Sequence, residues 1–204
     1  MFFLRNIRAN LTFVHSTRQF CTSKSKKAAQ SEVAMAKDHL FQYTSGRWLW
    51  NEQEQLGARL RRFNVPLLQQ IACRAVGAER CVSLEKIGEG NYNKAYRLIM
   101  NDGQKVIVKI PHPNAGPPSL TTASEVATME YARTILQIPV PKVFDWSATT
   151  ENPVEAEYII MEEAKGLRLH EAWRDLPLRA KGDLIGQIVE IERKLLSVSF
   201  DRYE

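Results

Sequence analysis

Apolar positions along the chain change period twice. Between residues 65 and 76, Leu67, Leu68, Ile71, Ala72 and Ala75 recur at helical spacing, Pro66 stands in the first turn and Gly77 follows, which predicts a helix. From Val82 the period drops to two. Strands are predicted at 82–87, 94–100 and 104–110, with a glycine-rich turn between the first two. Asn101-Asp102-Gly103 separates the second from the third, and these residues accept the positive φ that a tight hairpin requires. A Pro/Gly loop at 111–118 comes next. Thr122 and Glu125 then stand at capping-box spacing and predict a helix over 122–136, stopped by Ile138-Pro139-Val140-Pro141. Two more strands, at 142–146 and 157–163, and a long helix at 178–196 complete the pattern, although Gly182 and Gly186 count against that last helix.

Upstream of residue 65 the pattern is different. Tyr43, Trp48 and Trp50 crowd with Phe41 into ten residues, too many aromatics for a polar linker, so this piece is expected to lie against the domain that follows. Earlier still, Phe3, Ile7, Leu11 and Val14 make one helical stripe with Arg5, Arg8 and His15 facing away. Residues 1–31 hold six Arg and Lys and no acid. That is the composition of a mitochondrial transit peptide, drawn inward by the membrane potential, and Arg18 three residues before a cut after Phe20 fits a matrix protease. Matrix localisation is the expectation, and a disordered basic tail is the competing reading.

The formal charge of +5 therefore resides at one end. Without residues 1–31 the chain is near neutral, which argues against a nucleic-acid partner. No apolar run approaches the ~18 residues of a membrane span. The three cysteines, Cys21, Cys73 and Cys81, have neither metal-ligand spacing nor the density of a disulfide framework. Four segments are expected: a presequence at 1–31, a linker and helical extension at 32–80, a lobe at 81–165 and the start of a helical lobe at 166–204.

The middle segment carries the candidate chemistry. Gly88-Glu89-Gly90-Asn91-Tyr92-Asn93 would bend over phosphates, where missing side chains let backbone N–H groups approach anionic oxygens. Lys109 ends the strand Val106-Ile107-Val108-Lys109 and shares a face with Ile107, placing a cation at the phosphates and an apolar roof over a base. Glu125, on the following helix, could pair with Lys109. Each feature alone has a plain structural reading: a turn, a solvated lysine, a helix cap. Their order and spacing make the case.

Ile87–Trp173 resembles the N-terminal lobe of the aminoglycoside phosphotransferase and choline kinase superfamily, which shares the protein-kinase fold. Asn93-Lys94-Ala95-Tyr96-Arg97-Leu98 is similar to that superfamily's Asn-Lys-x-Tyr-x-Val pattern, with Asn93 where protein kinases have a third glycine and able to take the same left-handed backbone. Longer blocks, including Tyr43-Thr44-Ser45-Gly46-Arg47-Trp48, Leu120-Thr121-Thr122-Ala123-Ser124-Glu125 and Glu157-Tyr158-Ile159-Ile160-Met161-Glu162, resemble the fungal altered inheritance of mitochondria protein 9 family. The resemblance implies an α+β fold: a kinase-like N-terminal lobe of five antiparallel strands plus a helix, followed by the first part of a helical lobe.

It also implies ATP with magnesium as cofactor. Gly88, Gly90, Asn91 and Asn93 would lie at the phosphates, Ile107 over the base, Lys109 on the α- and β-phosphates and Glu125 behind Lys109, while Glu162, Glu163 and Ala164 would offer hinge backbone to adenine. Intact relatives are expected to phosphorylate a small hydroxyl-bearing metabolite. After Trp173 the aspartates are Asp175, Asp183 and Asp201, none in a His-x-Asp loop, so this chain alone is expected to lack the proton acceptor and the metal carboxylates. Two readings stand: the nucleotide-gripping part of a mitochondrial phosphotransferase, or a non-catalytic nucleotide-binding or scaffold module docking a protein partner through helix 178–196.

Overall fold

The structure is a computed structural model that describes residues 39–200. The presequence reading therefore lies outside the described residues. The chain divides into two compact units, Met1–Gln42 and Tyr43–Glu204, and every element named below belongs to the second. Two helices lead in, α1 (Glu52–Arg59) and α2 (Val65–Val76). Strands β1 (Cys81–Glu89), β2 (Asn93–Met100) and β3 (Lys105–Pro111) follow, then α3 (Leu120–Thr134), β4 (Val143–Ser147), β5 (Tyr158–Glu162) and the helices α4 (Leu169–Ala172) and α5 (Leu178–Leu196).

All five strands join one sheet in the order β1-β2-β3-β5-β4, antiparallel throughout. The fold is α+β, a five-stranded antiparallel sheet with helices. Its hairpin at Asn101–Gln104 closes as the sequence predicts: Gly103 has φ 84°, its N–H donates to Met100 O at 3.0 Å, and Gln104 N–H donates to Asp102 Oδ1 at 2.9 Å.

Strict alternation in β2 and β3 decides which way the sheet faces. Lys94, Tyr96, Leu98 and Met100 of β2, with Val106, Val108 and Ile110 of β3, are buried. Helix α2 covers this face. Asn64 caps it by accepting from Leu67 N–H at 3.2 Å, Gly77 ends it at φ 74°, and its inward residues Leu68, Ala72 and Cys73 are buried. Cys73 Sγ lies 3.7 Å from Met100 Sδ, and Phe63 meets Tyr96 edge-on with ring centroids 5.3 Å apart. The opposite face keeps Ala95, Arg97, Ile107 and Lys109, all half-buried.

Several expectations need correction. Thr122 does not cap α3. The helix starts at Leu120, Ser119 is its N-cap, and the Thr122 hydroxyl donates instead to Glu157 Oε2 at 2.6 Å in a buried contact. A capping-box spacing inside a helix puts both residues on one face as well, and here tertiary partners claim them. Asn93 is a β2 residue and is not among the residues with positive φ, so it does not copy a glycine. The aromatic segment is only partly laid down: Tyr43 and Trp48 rings are 4.5 Å apart and Arg59 stacks 4.6 Å over Trp48, but Leu49 and Trp50 are exposed. Helix α5 runs unbroken through Gly182 and Gly186, with Ile188 and Leu195 exposed.

Leu68 is fully buried beneath the sheet. Leu68→Ala should cost about 2–5 kcal/mol in denaturant unfolding, whereas Leu49→Ala, on a solvent-facing side chain, should change stability by no more than about 0.5 kcal/mol.

Candidate functional site

Strand register builds the open face. Ala95 pairs with Lys109 and Arg97 with Ile107, while on the other side Lys109 pairs with Ile159 and Ile107 with Met161. Directly paired residues project to the same side of a sheet. Lys109 therefore rises beside Ala95, one turn of alternation from Ile107. Its ammonium pairs with the Glu125 carboxylate on α3, both side chains remaining partly accessible. The pair fixes where a cation can stand on that face without sealing it off.

The glycine turn joins β1 to β2 just beyond the row in which Gly88, Ala95 and Lys109 are paired. β1 runs on to Glu89, past a bulge between Lys86 and Gly88, so the bend itself is confined to Gly90-Asn91-Tyr92. Gly90 N–H donates to Asn93 O at 2.9 Å and His112 N–H donates to Tyr92 O at 2.8 Å. A Cβ built on Gly88 or Gly90 meets nothing within 4 Å, and neither glycine has a positive φ. Nothing inside the chain requires glycine there. The open space above these two positions suits a ligand that approaches the backbone closely.

The hinge residues divide. Glu162 N–H donates to Lys142 O at 2.8 Å, and the Glu163 carboxylate takes Arg97 at 2.6 Å, an ion pair that ties the hinge to β2; Arg97 also reaches Glu85 at 2.8 Å. Glu162 thus has no N–H to offer a base. Ala164 is exposed and makes no hydrogen bond within the described residues. Asn91 is exposed at the tip of the turn.

Sequence reasoning missed the group that holds this turn from behind. Glu89 pairs with Lys94 and Lys86 with Tyr96 in register, which puts these side chains on the face opposite Lys109. Glu89 is 1% exposed. Its Oε2 accepts from Lys86 Nζ at 2.5 Å and from Thr44 N–H at 2.8 Å, and its Oε1 faces Lys94 Nζ at 3.1 Å and His112 Nε2 at 3.7 Å. Lys94 Nζ also donates to Arg59 O at 3.1 Å. The imidazole of His112 lies between two carbonyls, Arg59 O at 3.1 Å from Nδ1 and Gly90 O at 3.2 Å from Nε2. A legible signal existed: Lys94 occupies a core position of an alternating strand, and a lysine there demands a buried partner.

Burial pushes the Glu89 carboxyl up, but hydrogen bonds from Lys86, the Thr44 N–H and Lys94 outweigh it and hold the pKa below the usual range. Burial likewise lowers Lys94 against the opposing pull of Glu89. For His112, burial and the neighbouring Lys94 charge lower the pKa from 6.5 despite the two carbonyls and Glu89. The neutral ring has one N–H, so it satisfies only one of its two carbonyls.

A cavity of about 200 Å³ opens elsewhere, beside the 111–118 loop, lined by Arg61, His112, Pro117, Thr121 and Glu157. None of the sequence-predicted site residues lines it. The open sheet face is the better candidate, since the register sets Gly88, Ala95 and Lys109 in one row across it.

No protein-family model matches the chain. A subtelomeric hrmA-associated cluster protein of Aspergillus fumigatus is 46% identical over 123 residues, 60% of this chain and 24% of that protein. Altered inheritance of mitochondria protein 9, mitochondrial, of Yarrowia lipolytica is 28% identical over 185 residues, 82% of this chain and 32% of that one. The protein of the same name from Saccharomyces cerevisiae is 24% identical across 93% of this chain. These relatives are all fungal, and those called altered inheritance of mitochondria protein 9 are named as mitochondrial. The chain spans about a quarter to two fifths of the length of these curated relatives. Among solved structures, aminoglycoside phosphotransferase APH(4)-Ia matches 64% of this chain and 39% of its own at 14% identity, with a TM-score of 0.42. A thermostable mutant of that enzyme, in ternary complex with ADP and hygromycin B, matches 62% of this chain at 16% identity and a TM-score of 0.41.

Acidification should separate the buried groups. Because the His112 pKa lies below 6.5 in the folded chain, the unfolded chain binds a proton first as pH falls. Stability from neutral His112 is whole above about pH 6.5 and is lost progressively below it. Glu89, lowered below 4.5, contributes above that value and fails under more acid conditions. Thermal midpoints measured between about pH 7 and pH 5.5 should fall for the unchanged chain and fall less for His112→Gln. Glu89→Ala, which strands two buried cations, should cost about 3–5 kcal/mol at neutral pH in denaturant unfolding.

Proposed function

We propose that the open face of this sheet is the nucleotide-gripping half of a phosphotransferase site and that the protein works in mitochondria. The observation that carries the reading is Lys109, a cation paired with Glu125 in the same cross-strand row as Gly88 and Ala95. Lys109 would meet phosphate oxygens as a point charge. The backbone at Gly88 and Gly90 would approach them without a side chain in the way, Ala95 and Ile107 would roof the base, and Ala164 would offer its edge a backbone donor and acceptor.

ATP is the ligand this arrangement suits, and bound there it would supply the phosphoryl group to be transferred. Glu125 keeps Lys109 oriented before the nucleotide arrives, so little side-chain ordering remains to be done on binding. Among the described residues no group of three or more His, Cys, Asp and Glu could hold a metal ion. Magnesium beside a nucleotide needs only one or two carboxylates besides phosphate oxygens and water, so the proposal covers the nucleotide alone, and no step is derived through the metal. The acceptor is proposed to be a small hydroxyl-bearing metabolite recognised by parts of the relatives beyond the length this chain spans.

Titration of the full chain with ADP in a calorimeter tests the reading. Lys109→Ala should weaken binding at least about tenfold, or about 1.4 kcal/mol, while its unfolding midpoint stays within a few degrees, since the side chain is not part of the core. Unchanged affinity in that variant removes Lys109 from the site.

Localisation has its own test. The basic, acid-free residues 1–31 are proposed to direct import into the matrix. Fused to a reporter, residues 1–40 should carry it into isolated energised mitochondria with loss of the segment before Cys21, and replacing Arg5, Arg8 and Arg18 by Ala should prevent uptake. Equal uptake by both fusions would contradict the proposal.

A further inference from the structure

The cluster behind the glycine turn ties the lead-in segment to the paired ends of β1, β2 and β3. Glu89 ends β1, Lys94 and His112 flank the β2–β3 hairpin at its open end, and Thr44 and the Arg59 carbonyl come from the lead-in segment before α2. Four ionisable side chains, Lys86, Glu89, Lys94 and His112, are withdrawn from water at this point. Desolvating that many charges is costly, and apolar residues could have filled the space at no such cost. The contacts are directional as well: His112 reaches the Gly90 carbonyl through Nε2 and the Tyr92 carbonyl through its own N–H, so it grips both ends of the bend.

We propose that Glu89 is a positioning residue for the Gly90–Tyr92 turn, acting through Lys94 and His112, and that the 43–59 segment is part of the same device because it closes the shell of Glu89. The turn has almost no other anchorage. Asn91 and Tyr92 are exposed, and within the turn one backbone hydrogen bond, Gly90 N–H to Asn93 O, closes the bend. Without a fixed carboxylate, the buried Lys94 ammonium would keep only the Arg59 carbonyl and lose its counter-charge, and the Glu89–Lys94 row from which the bend springs would be free to shift. With it, the turn is held in one position at the Lys109 end of the sheet. The consequence for nucleotide affinity rests on the function proposed above. The positioning of the turn does not.

The test uses the full chain and two variants. Glu89→Gln keeps the shape and removes the charge, and Glu89→Gln combined with Lys94→Met also removes one of the two cations left without it, Lys86 keeping its hydrogen bond to the Thr44 hydroxyl at 3.0 Å, so that one folded variant is obtained. Two readouts are taken. In amide hydrogen exchange without ligand, Gly90 and His112 should exchange at least about tenfold faster in the variants, while β3 amides at Val106 and Val108 stay protected. In titrations with ADP and with adenosine, affinity for ADP should fall about tenfold while adenosine, which lacks the phosphates the turn would meet, should bind as before.

Exchange at Gly90 and His112 unchanged in the double variant overturns the proposal. So does an equal loss for ADP and adenosine, which would mark Glu89 as general support for the fold. If the unchanged chain binds neither compound, the nucleotide reading falls, and the exchange measurement still decides whether Glu89 holds the turn.

Discussion

Period-two alternation in β2 and β3 is the constraint from which the rest follows. One set of side chains, Tyr96, Leu98, Met100, Val106, Val108 and Ile110, has to leave water, and α2 with Phe63 covers it. Once that face is spoken for, the residues in between can only point the other way. Lys109 and Ile107 are therefore on an open face by parity, with no separate device to put them there. A slip of one residue in either strand would bury Lys109 and expose the core set, so the register that folds the sheet is also the register that makes the site.

Charge is handled differently on the two faces. On the open side, Lys109 and Glu125 are partly accessible, as are Arg97 and its partners Glu85 and Glu163, and water screens them. On the closed side, the Glu89 group is shielded, and Glu89, Lys94 and His112 shift one another's pKa on top of the effect of burial. Such a group is weak as a source of stability and strong as a source of geometry. Its location at the end of β1, beside the Gly90–Tyr92 bend, is why a positioning role is proposed for it.

Much of this was legible from sequence because it depends on local chemistry. Asn101-Asp102-Gly103 makes its hairpin with its own residues, α2 carries its own cap and stop, and Lys109 and Glu125 meet because a strand and the next helix leave few other options. The rest depended on long-range partners. Thr122 reads as a cap until Glu157, 35 residues away, takes its hydroxyl. Glu89 reads as a polar residue in a turn until Thr44, 45 residues earlier, donates to it. Glu162 reads as a free hinge until the strand pairing commits its N–H to Lys142. In each case the residue type was right for either role, and only the fold selects between them.

The account's central claim is that Lys109 stands where nucleotide phosphates bind. The most direct measurement is covalent: an ATP acyl phosphate, which transfers its acyl group to a lysine amine held near the phosphates and releases ATP, followed by mass spectrometric mapping of the modified lysine. The account predicts modification at Lys109, suppressed by excess ATP. Modification spread over exposed lysines such as Lys105 and Lys165, indifferent to ATP and sparing Lys109, would contradict it.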